Sequence, residues 1–180
     1  MNICVFCGSA TGHHARYTDA ARTVGEFIAK HGHTLVYGGG NIGLMGIVAD
    51  STLLHGGKAI GVIPDFLMRR EVGHHGLTEL IIVDSMHERK KKMADLADVF
   101  IALPGGWGTL DELAEILTWR QLHLVNQPVG LLNLHGFFTP LVDQMKTMAD
   151  EGFLAAENLK FLTIADSPVK LLTALGVVAV

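Results

Sequence analysis

The sequence predicts a doubly wound α/β domain, in which a parallel sheet carries helices on both faces. Two observations lead to this prediction. Short, continuous apolar runs rich in β-branched residues recur along the chain, as they do in strands that are covered on both sides. Longer segments with the apolar period of an amphipathic helix lie between most of them. Because strands and helices alternate, we expect right-handed crossovers within one parallel sheet.

The apolar runs ICVF, TLVY, AIGVI, LIIV, VFIAL and VGLL mark the strands in order. We expect them at residues 3–7, 34–37, 59–63, 80–83, 99–103 and 129–132, with a further candidate at 161–164. Helical periodicity predicts helices at 15–30, 43–55, 86–96, 110–123, 137–151 and 169–175. The helix at 86 has a defined start, because Ser85 and Glu88 fit a capping box. Since 180 residues are too few for two ordinary domains, residues 1–180 are expected to form a single Rossmann-like domain.

Composition narrows the classes of partner. The chain has 14 basic and 18 acidic residues, and its net charge of −4 gives no overall reason to expect nucleic acid. Apolar residues make up 49% of the chain and the mean hydropathy is +0.34, which is high for a monomer that must cover itself with polar surface. A homo-oligomer would bury part of that surface, so we expect one.

No segment predicts secretion or a membrane span. Met1 and Asn2 lead directly into the first strand without a basic leader. Residues 122–142 lack charged side chains, but polar residues and prolines interrupt them too often for a bilayer helix. Cys4 and Cys7 form a C-x-x-C within an apolar strand, where residues three apart point to opposite faces. We therefore expect core thiols in a reducing cytoplasm rather than a redox pair or zinc site.

The ten histidines predict no metal site. His13–His14 and His74–His75 are adjacent pairs in loops, and neighbouring side chains seldom converge on one ion. We interpret them as surface or loop polarity. No residue pattern calls for a cofactor.

The segments that follow the strands predict a ligand site. They read GSATG, GGGNIGLMG, PDFLMRRE, DSMHERKK and PGGWGTLDE. In a sheet of this kind ligands bind at the carboxyl ends of the strands, so these segments should line one crevice. Together they offer glycine-rich backbone for a phosphate, a cationic group and carboxylates.

The second segment has the G-x-G-x-x-G spacing of a dinucleotide-binding turn at Gly38, Gly40 and Gly43. A nicotinamide dehydrogenase would also need an acid that closes the next strand, and Asp65 lies beyond a proline. The sequence therefore disfavours a nicotinamide dehydrogenase. Two interpretations stay open for the glycines: they bind phosphate, or they only allow a tight turn. Candidate phosphate or ribose contacts here and in the first segment are Ser9, Gly38, Gly39, Gly40 and Gly43.

Arg89 is the candidate cationic group. The spacing of its helix places it on the inward apolar stripe with Met86, Met93 and Leu96. A buried arginine near a helix N-terminus needs a carboxylate or an anion as partner, which a structural ion pair or a substrate phosphate would supply. Lys91 and Lys92 fall off the stripe and should be solvated, and Lys90 lies at its edge and fits either position.

The stretch LPGGWGTLDE combines a glycine turn, which suits an anion, with two carboxylates, Asp111 and Glu112. Thr109 and Glu112 fit a capping box, so Glu112 could serve only as a helix cap. Alternatively the turn cradles a phosphate while Glu112 faces the sugar. The helix dipole should lower the pKa of a first-turn carboxylate and keep Glu112 ionised at neutral pH. That state suits a base or a stabiliser of positive charge, not a general acid.

The same stretch fits the motif P-G-G-x-G-T-x-x-E, and the chain resembles the Lonely Guy (LOG) family of cytokinin-activating nucleoside 5′-monophosphate phosphoribohydrolases. The resemblance extends over CGSA, GGGNIGLMG, LMRRE, SMHERK, LTWRQL and PVGLLN. It implies hydrolysis of the N-glycosidic bond of a purine nucleoside 5′-monophosphate, with adenine or an N6-modified adenine as base. It also implies a homodimer with the site near the interface.

The resemblance further implies site residues. Arg89 and Glu112 match the catalytic pair of the family. The substrate contacts match Glu71, Lys90, Gly105, Gly106, Trp107, Gly108, Thr109, Leu110, Asp111 and Thr118. Trp107 replaces the usual tyrosine of the plant enzymes and Asp111 replaces a glutamate, which leaves the base preference and the ribose contacts open. A nucleotide-binding carrier on the same fold is the alternative function.

Overall fold

Seven strands form one parallel sheet at the centre of the molecule. The computed structural model describes residues 1–69 and 72–177. The strands are β1 (Asn2–Phe6), β2 (Thr34–Tyr37), β3 (Lys58–Pro64), β4 (Glu79–Val83), β5 (Val99–Ala102), β6 (Val129–Leu132) and β7 (Leu162–Ala165). The helices are α1 (Ala15–Lys30), α2 (Gly43–Leu54), α3 (Asp65–Met68), α4 (Met86–Leu96), α5 (Trp107–Gln121), α6 (Thr139–Asp150) and α7 (Pro168–Ala174). This confirms the doubly wound α/β fold.

The strand order is β4-β3-β2-β1-β5-β6-β7. The chain first builds the sheet outward from β1 on one side and then returns to the other side of β1 with β5. The direction of winding therefore reverses between β1 and β5, and a crevice opens where their loops diverge. The Gly8 N–H donates to the Pro104 carbonyl over 3.1 Å and joins the two loops at the base of that crevice.

Each face of the sheet packs against its own helices. One core cluster joins α1, α2 and α7 to the sheet, and the other joins α4, α5 and Phe138 at the start of α6. Cys7 belongs to the first cluster and Cys4 to the second, and both are free and buried. The expectation that these two thiols point to opposite faces is confirmed.

Most element boundaries differ from the prediction by one or two residues, and some differences are larger. The helix α5 begins at Trp107 rather than at 110, because Gly106 takes the N-cap position. The short helix α3 was not expected, and β7 lies one residue later than the candidate at 161–164. The Ser85 cap of α4 is confirmed, since the Glu88 N–H donates to Ser85 Oγ over 3.1 Å. The reciprocal bond of a capping box is shifted by one residue, because Glu88 Oε2 accepts from the Asp84 N–H over 2.9 Å.

Among the described residues, no helix is long and apolar enough to cross a membrane.

Candidate active site

A pocket of about 340 Å³ opens at the switch point of the sheet. Segments that follow all of the first five strands contribute to its wall, as the sequence predicted. The lining residues include Cys7, Gly8 and Ser9 after β1, Gly38, Gly40, Ile42 and Met45 after β2, Leu67 and Val72 after β3, Arg89 after β4, and Gly106 to Thr109 with Glu112 after β5.

Arg89 lies in the first turn of α4 and is only 8% exposed. Its Nε donates to the Val62 carbonyl over 3.1 Å, and its Nη2 donates to the Gly38 carbonyl over 3.3 Å. A Cβ on Gly38 would overlap the guanidinium, so any other residue at this position would displace Arg89. The glycine therefore makes room for the arginine, and the arginine satisfies two carbonyl groups at the ends of strands.

Glu112 lies in the second turn of α5 and is also 8% exposed. Its Oε1 is 3.8 Å from Nη2 of Arg89, so two buried groups of opposite charge face the same pocket. This carboxylate is the partner that an inward-facing arginine needs.

The expectation that Glu112 is fully ionised at neutral pH is wrong. Burial raises the pKa of the Glu112 carboxyl to about 7, although the Arg89 guanidinium acts in the opposite direction. Desolvation raises the pKa by more than the α5 helix dipole lowers it, because the side chain is enclosed by segments distant in the sequence. Both protonation states are therefore populated near neutral pH.

The N-terminus of α5 is uncapped and open. Gly106 is the N-cap and supplies no side-chain cap, and a Cβ on Gly106 or Gly108 would meet open space. Thr109 lies inside the helix, and its buried Oγ1 has no hydrogen-bond partner in the part of the chain that the structure describes. The capping box predicted for Thr109 and Glu112 is therefore wrong. The free N–H groups of this turn are instead available to a ligand.

The glycines after β2 divide into two groups. Gly38 and Gly40 line the pocket, whereas Gly39 and Gly43 have positive φ angles of 72° and 62° and shape the turn. A Cβ on Gly43 would overlap the backbone of Ser9, and the Leu44 N–H donates to the Gly8 carbonyl over 3.0 Å. The start of α2 is thus packed against the first loop.

The structure places the other predicted contacts at varied distances from the pocket. Trp107 is 88% exposed at its rim, and Gly105 lines an adjoining recess that shares Gly8 and Ser9 with it. Lys90 lies outside the lining, where its Nζ pairs with Asp111 over 3.0 Å and with Glu115 over 3.2 Å.

Two further predicted contacts, Leu110 and Thr118, do not line the pocket. Leu110 packs against the core cluster beneath α5. Thr118 donates to the Ala114 carbonyl over 2.7 Å and lines an apolar groove between α5 and α6. Glu71 lies outside the described residues.

Sequence reasoning missed the apolar wall formed by Met45, Leu67 and Val72. Their only signal is a position in the segments after β2 and β3. We interpreted His74 as surface or loop polarity; it does lie in a loop, but it is not a surface residue, because it is 7% exposed and its Nε2 lies 3.0 Å from Asp50 Oδ1. Within the described ranges, no three His, Cys, Asp or Glu residues cluster as metal ligands would.

Comparison with known proteins places this chain in a family. A family model described as possible lysine decarboxylase matches residues 45–175. A cytokinin riboside 5′-monophosphate phosphoribohydrolase of Oryza sativa subsp. japonica is 49% identical over 163 residues, which cover 91% of this chain and 67% of the relative. One of Arabidopsis thaliana is 44% identical over 165 residues, which cover 92% and 78%. The chain belongs to the LOG family.

The fold of this LOG-family chain also occurs in carrier proteins. A molybdenum cofactor binding protein from Rippkaea orientalis superimposes with a TM-score of 0.72 and 25% identity, over 96% of this chain and 95% of the other. In the present LOG-family chain, the P-G-G-x-G-T-x-x-E motif provides both the uncapped start of α5 and the buried Glu112.

Proposed function

We propose that this chain hydrolyses the N-glycosidic bond of a purine nucleoside 5′-monophosphate, with adenine or an N6-modified adenine as base. The products are the free base and ribose 5-phosphate. The observation that carries the proposal is the buried pair of Arg89 and Glu112, which faces the same pocket as an uncapped, glycine-rich helix N-terminus. The names of the rice and Arabidopsis relatives describe this reaction on cytokinin riboside 5′-monophosphates.

The 5′-phosphate binds at the start of α5. The N–H groups of Gly106 to Thr109 are donors, and the positive end of the helix favours an anion. Gly106 and Gly108 leave room for phosphate oxygens to approach the backbone. Binding energy at the phosphate then orients the ribose without involving the bond that breaks.

Glu112 stabilises the reacting sugar. The C1′–N9 bond breaks with its electron pair going to the base, and positive charge develops on the ribose as an oxocarbenium ion. A buried carboxylate interacts strongly with that charge. Water then adds to C1′ and gives up a proton, which Glu112 can accept because its pKa lies near 7. The departing base takes up a proton.

Arg89 holds the carboxylate in place. Its hydrogen bonds to the Val62 and Gly38 carbonyls fix the guanidinium, and the third contact is Glu112. Lys90 and Asp111 act beside this pair by joining α4 to α5, on which the two catalytic groups lie. Glu71 is retained as a substrate contact from the family resemblance.

The protein acts as a homodimer in a reducing cytoplasm. An apolar groove of about 340 Å³ between α5 and α6 supports the dimer, because it includes Leu141, Met145 and Phe161 together with the predicted substrate contact Thr118. A second copy that covers the groove would bring Thr118 into an interface. The two buried, free thiols support the reducing compartment.

The decisive experiment is chromatography of products formed from AMP. The wild-type chain should release adenine and ribose 5-phosphate. Glu112→Gln and Arg89→Ala should each lower kcat about 100-fold or more, because each removes a group that acts at the reacting sugar. The matched controls Glu151→Gln and Arg22→Ala alter exposed residues and should keep wild-type rates. Full activity in either active-site variant would overturn the proposed mechanism.

A carrier is the alternative function, and the shared fold of the molybdenum cofactor binding protein is the observation that favours it. A carrier would bind AMP in calorimetry and return it unchanged. Release of adenine by the wild-type chain, lost in Glu112→Gln, would eliminate this alternative.

A further inference from the structure

We propose that His74 and Asp50 form a positioning pair that sets the position of one wall of the nucleotide pocket. This inference rests on the proposed function, because the pocket is taken to be the nucleotide site. Neither side chain lines the pocket. They act through residues 72–74, of which Val72 lines the pocket.

The segment is attached to the glycine turn after β2 by backbone hydrogen bonds. The Asn41 N–H donates to the Val72 carbonyl over 2.7 Å, and the His74 N–H donates to the Gly39 carbonyl over 2.9 Å. Gly40 and Gly73 face each other between these bonds as an antiparallel bridge. Two bonds alone are a weak attachment, because each replaces hydrogen bonds to water and stabilises the folded chain only modestly.

The His74 side chain strengthens this attachment from both ring nitrogens. Its Nδ1 accepts a hydrogen bond from the Gly76 N–H over 3.0 Å, so the ring proton must lie on Nε2. Nε2 then donates to Asp50 Oδ1 over 3.0 Å. The ring closes the turn that follows the segment and joins that turn to α2.

The attachment reaches the pocket through contacts of its residues. Met45 and Val72 both line the pocket, and Gly40 lies between them. A Cβ on Gly40 would come within 2.8 Å of Met45 Cε and 3.7 Å of the Val72 carbonyl. Met45 and Asp50 belong to the same helix, α2, so the pair fixes Val72 relative to the helix that carries Met45.

Loss of the pair should weaken nucleotide binding while the chemistry at Glu112 continues. Asp50→Ala removes the acceptor for Nε2 and should raise KM for AMP about fivefold with kcat within about twofold of wild type. Asp50→Asn keeps a side-chain oxygen as acceptor and should restore KM to within about twofold. The Asp50 side chain is 68% exposed, so both substitutions are expected to fold.

The test compares the two Asp50 variants with Asp143→Ala, which removes an exposed carboxylate on α6. Hydrogen exchange of the Asn41, His74 and Gly76 amides, measured without nucleotide, should be at least about tenfold faster in Asp50→Ala only. An unchanged KM, unchanged exchange, or equal losses in Asp50→Ala and Asp50→Asn would overturn the inference.

A second measurement separates this inference from the proposed function. AMP affinity is determined by calorimetry in chains that also carry Glu112→Gln, in which turnover is abolished. Weaker AMP binding on adding Asp50→Ala supports the positioning pair. This holds even if the wild-type chain releases no adenine, because that result would contradict only the proposed function. Equal affinity with and without Asp50→Ala would overturn the positioning pair alone.

Discussion

At the scale of single residues, the Glu112 carboxyl group is subject to two opposing effects. Burial favours its neutral form, and the Arg89 guanidinium 3.8 Å away favours its charged form. Burial prevails, because a single ion pair at that separation replaces only part of the lost hydration. The result is a carboxyl group with a pKa of about 7, where a group can both hold and release a proton.

The pH dependence of the reaction follows from this pKa. If the ionised form of Glu112 stabilises the oxocarbenium ion, kcat/KM for AMP should rise with pH and level off above about 7. A profile that falls above pH 7 would contradict this role and assign Glu112 as the proton donor to the base. The measurement is a series of initial rates between pH 5 and 9, chosen as roughly two pH units on either side of that pKa.

The stability of the folded chain should also depend on the protonation of Glu112. It should fall as pH rises, whereas kcat/KM should rise. The folded-state pKa lies above the ordinary value of 4.5, so the folded chain binds the proton more tightly than the unfolded chain. Wild-type stability should therefore fall, relative to Glu112→Gln, as pH rises from 4.5 to about 7, by at most about 3 kcal/mol. Urea unfolding of both chains at pH 5 and at pH 8 checks this. An equal stability difference at the two pH values would contradict it.

The sequence predicted the positions of Arg89 and Glu112 but not the protonation state of Glu112. The inward position of Arg89 follows from helical periodicity, and the position of Glu112 follows from its motif. The pKa of Glu112 depends on enclosure by segments that follow other strands, which periodicity does not describe. The burial of His74 was not predicted for the same reason: its partner Asp50 is 24 residues away in the sequence.

At the scale of elements, the N-terminus of α5 is poorly capped, and its first N–H groups are open to a ligand. A helix that begins Gly106-Trp107-Gly108 has no side-chain cap and an unfavourable glycine within its first turn. Both features weaken the helix locally, and both leave its first N–H groups accessible. The predicted start at 110 was wrong because glycines are ordinarily assigned to the preceding loop.

Gly108→Ala should separate the effect of this glycine on helix stability from its effect on phosphate binding. A Cβ at this position meets nothing within 4 Å, so the substitution should stabilise the chain by about 0.5 kcal/mol through helix propensity. The same methyl group would occupy the space proposed for the phosphate and should raise KM for AMP about tenfold. Thermal unfolding and initial rates measure the two effects, and a stabilised variant with unchanged KM would place the phosphate elsewhere.

At the scale of the whole molecule, the strand order positions the site. The alternation of runs in the sequence predicted the strands and the doubly wound class, but not the order in which the strands lie. Only that order places the loops after β1 and β5 side by side, joined by the bond from Gly8 to Pro104. The sequence could indicate one crevice from the general rule for such sheets, while its lining depended on contacts between distant segments.

The proposed dimer is a prediction at this scale. Met148 is 39% exposed and lies in the apolar groove between α5 and α6, so Met148→Glu should introduce a charge into the interface and shift the protein to monomers. Leu54→Glu is the matched control, because Leu54 is 83% exposed on α2, outside the groove. Light scattering after gel filtration measures the mass. Dimers in both variants would exclude this groove as the interface.

The exposed side chain at the pocket rim also has a spectroscopic consequence. Trp107 is 88% exposed, whereas the other tryptophan, Trp119, is partly buried against the core. A nucleotide that covers the rim would move the Trp107 indole out of water and change its emission, while Trp119 would keep its surroundings. The protein therefore carries an intrinsic fluorophore at the pocket, and binding can be titrated without a label or a coupled assay.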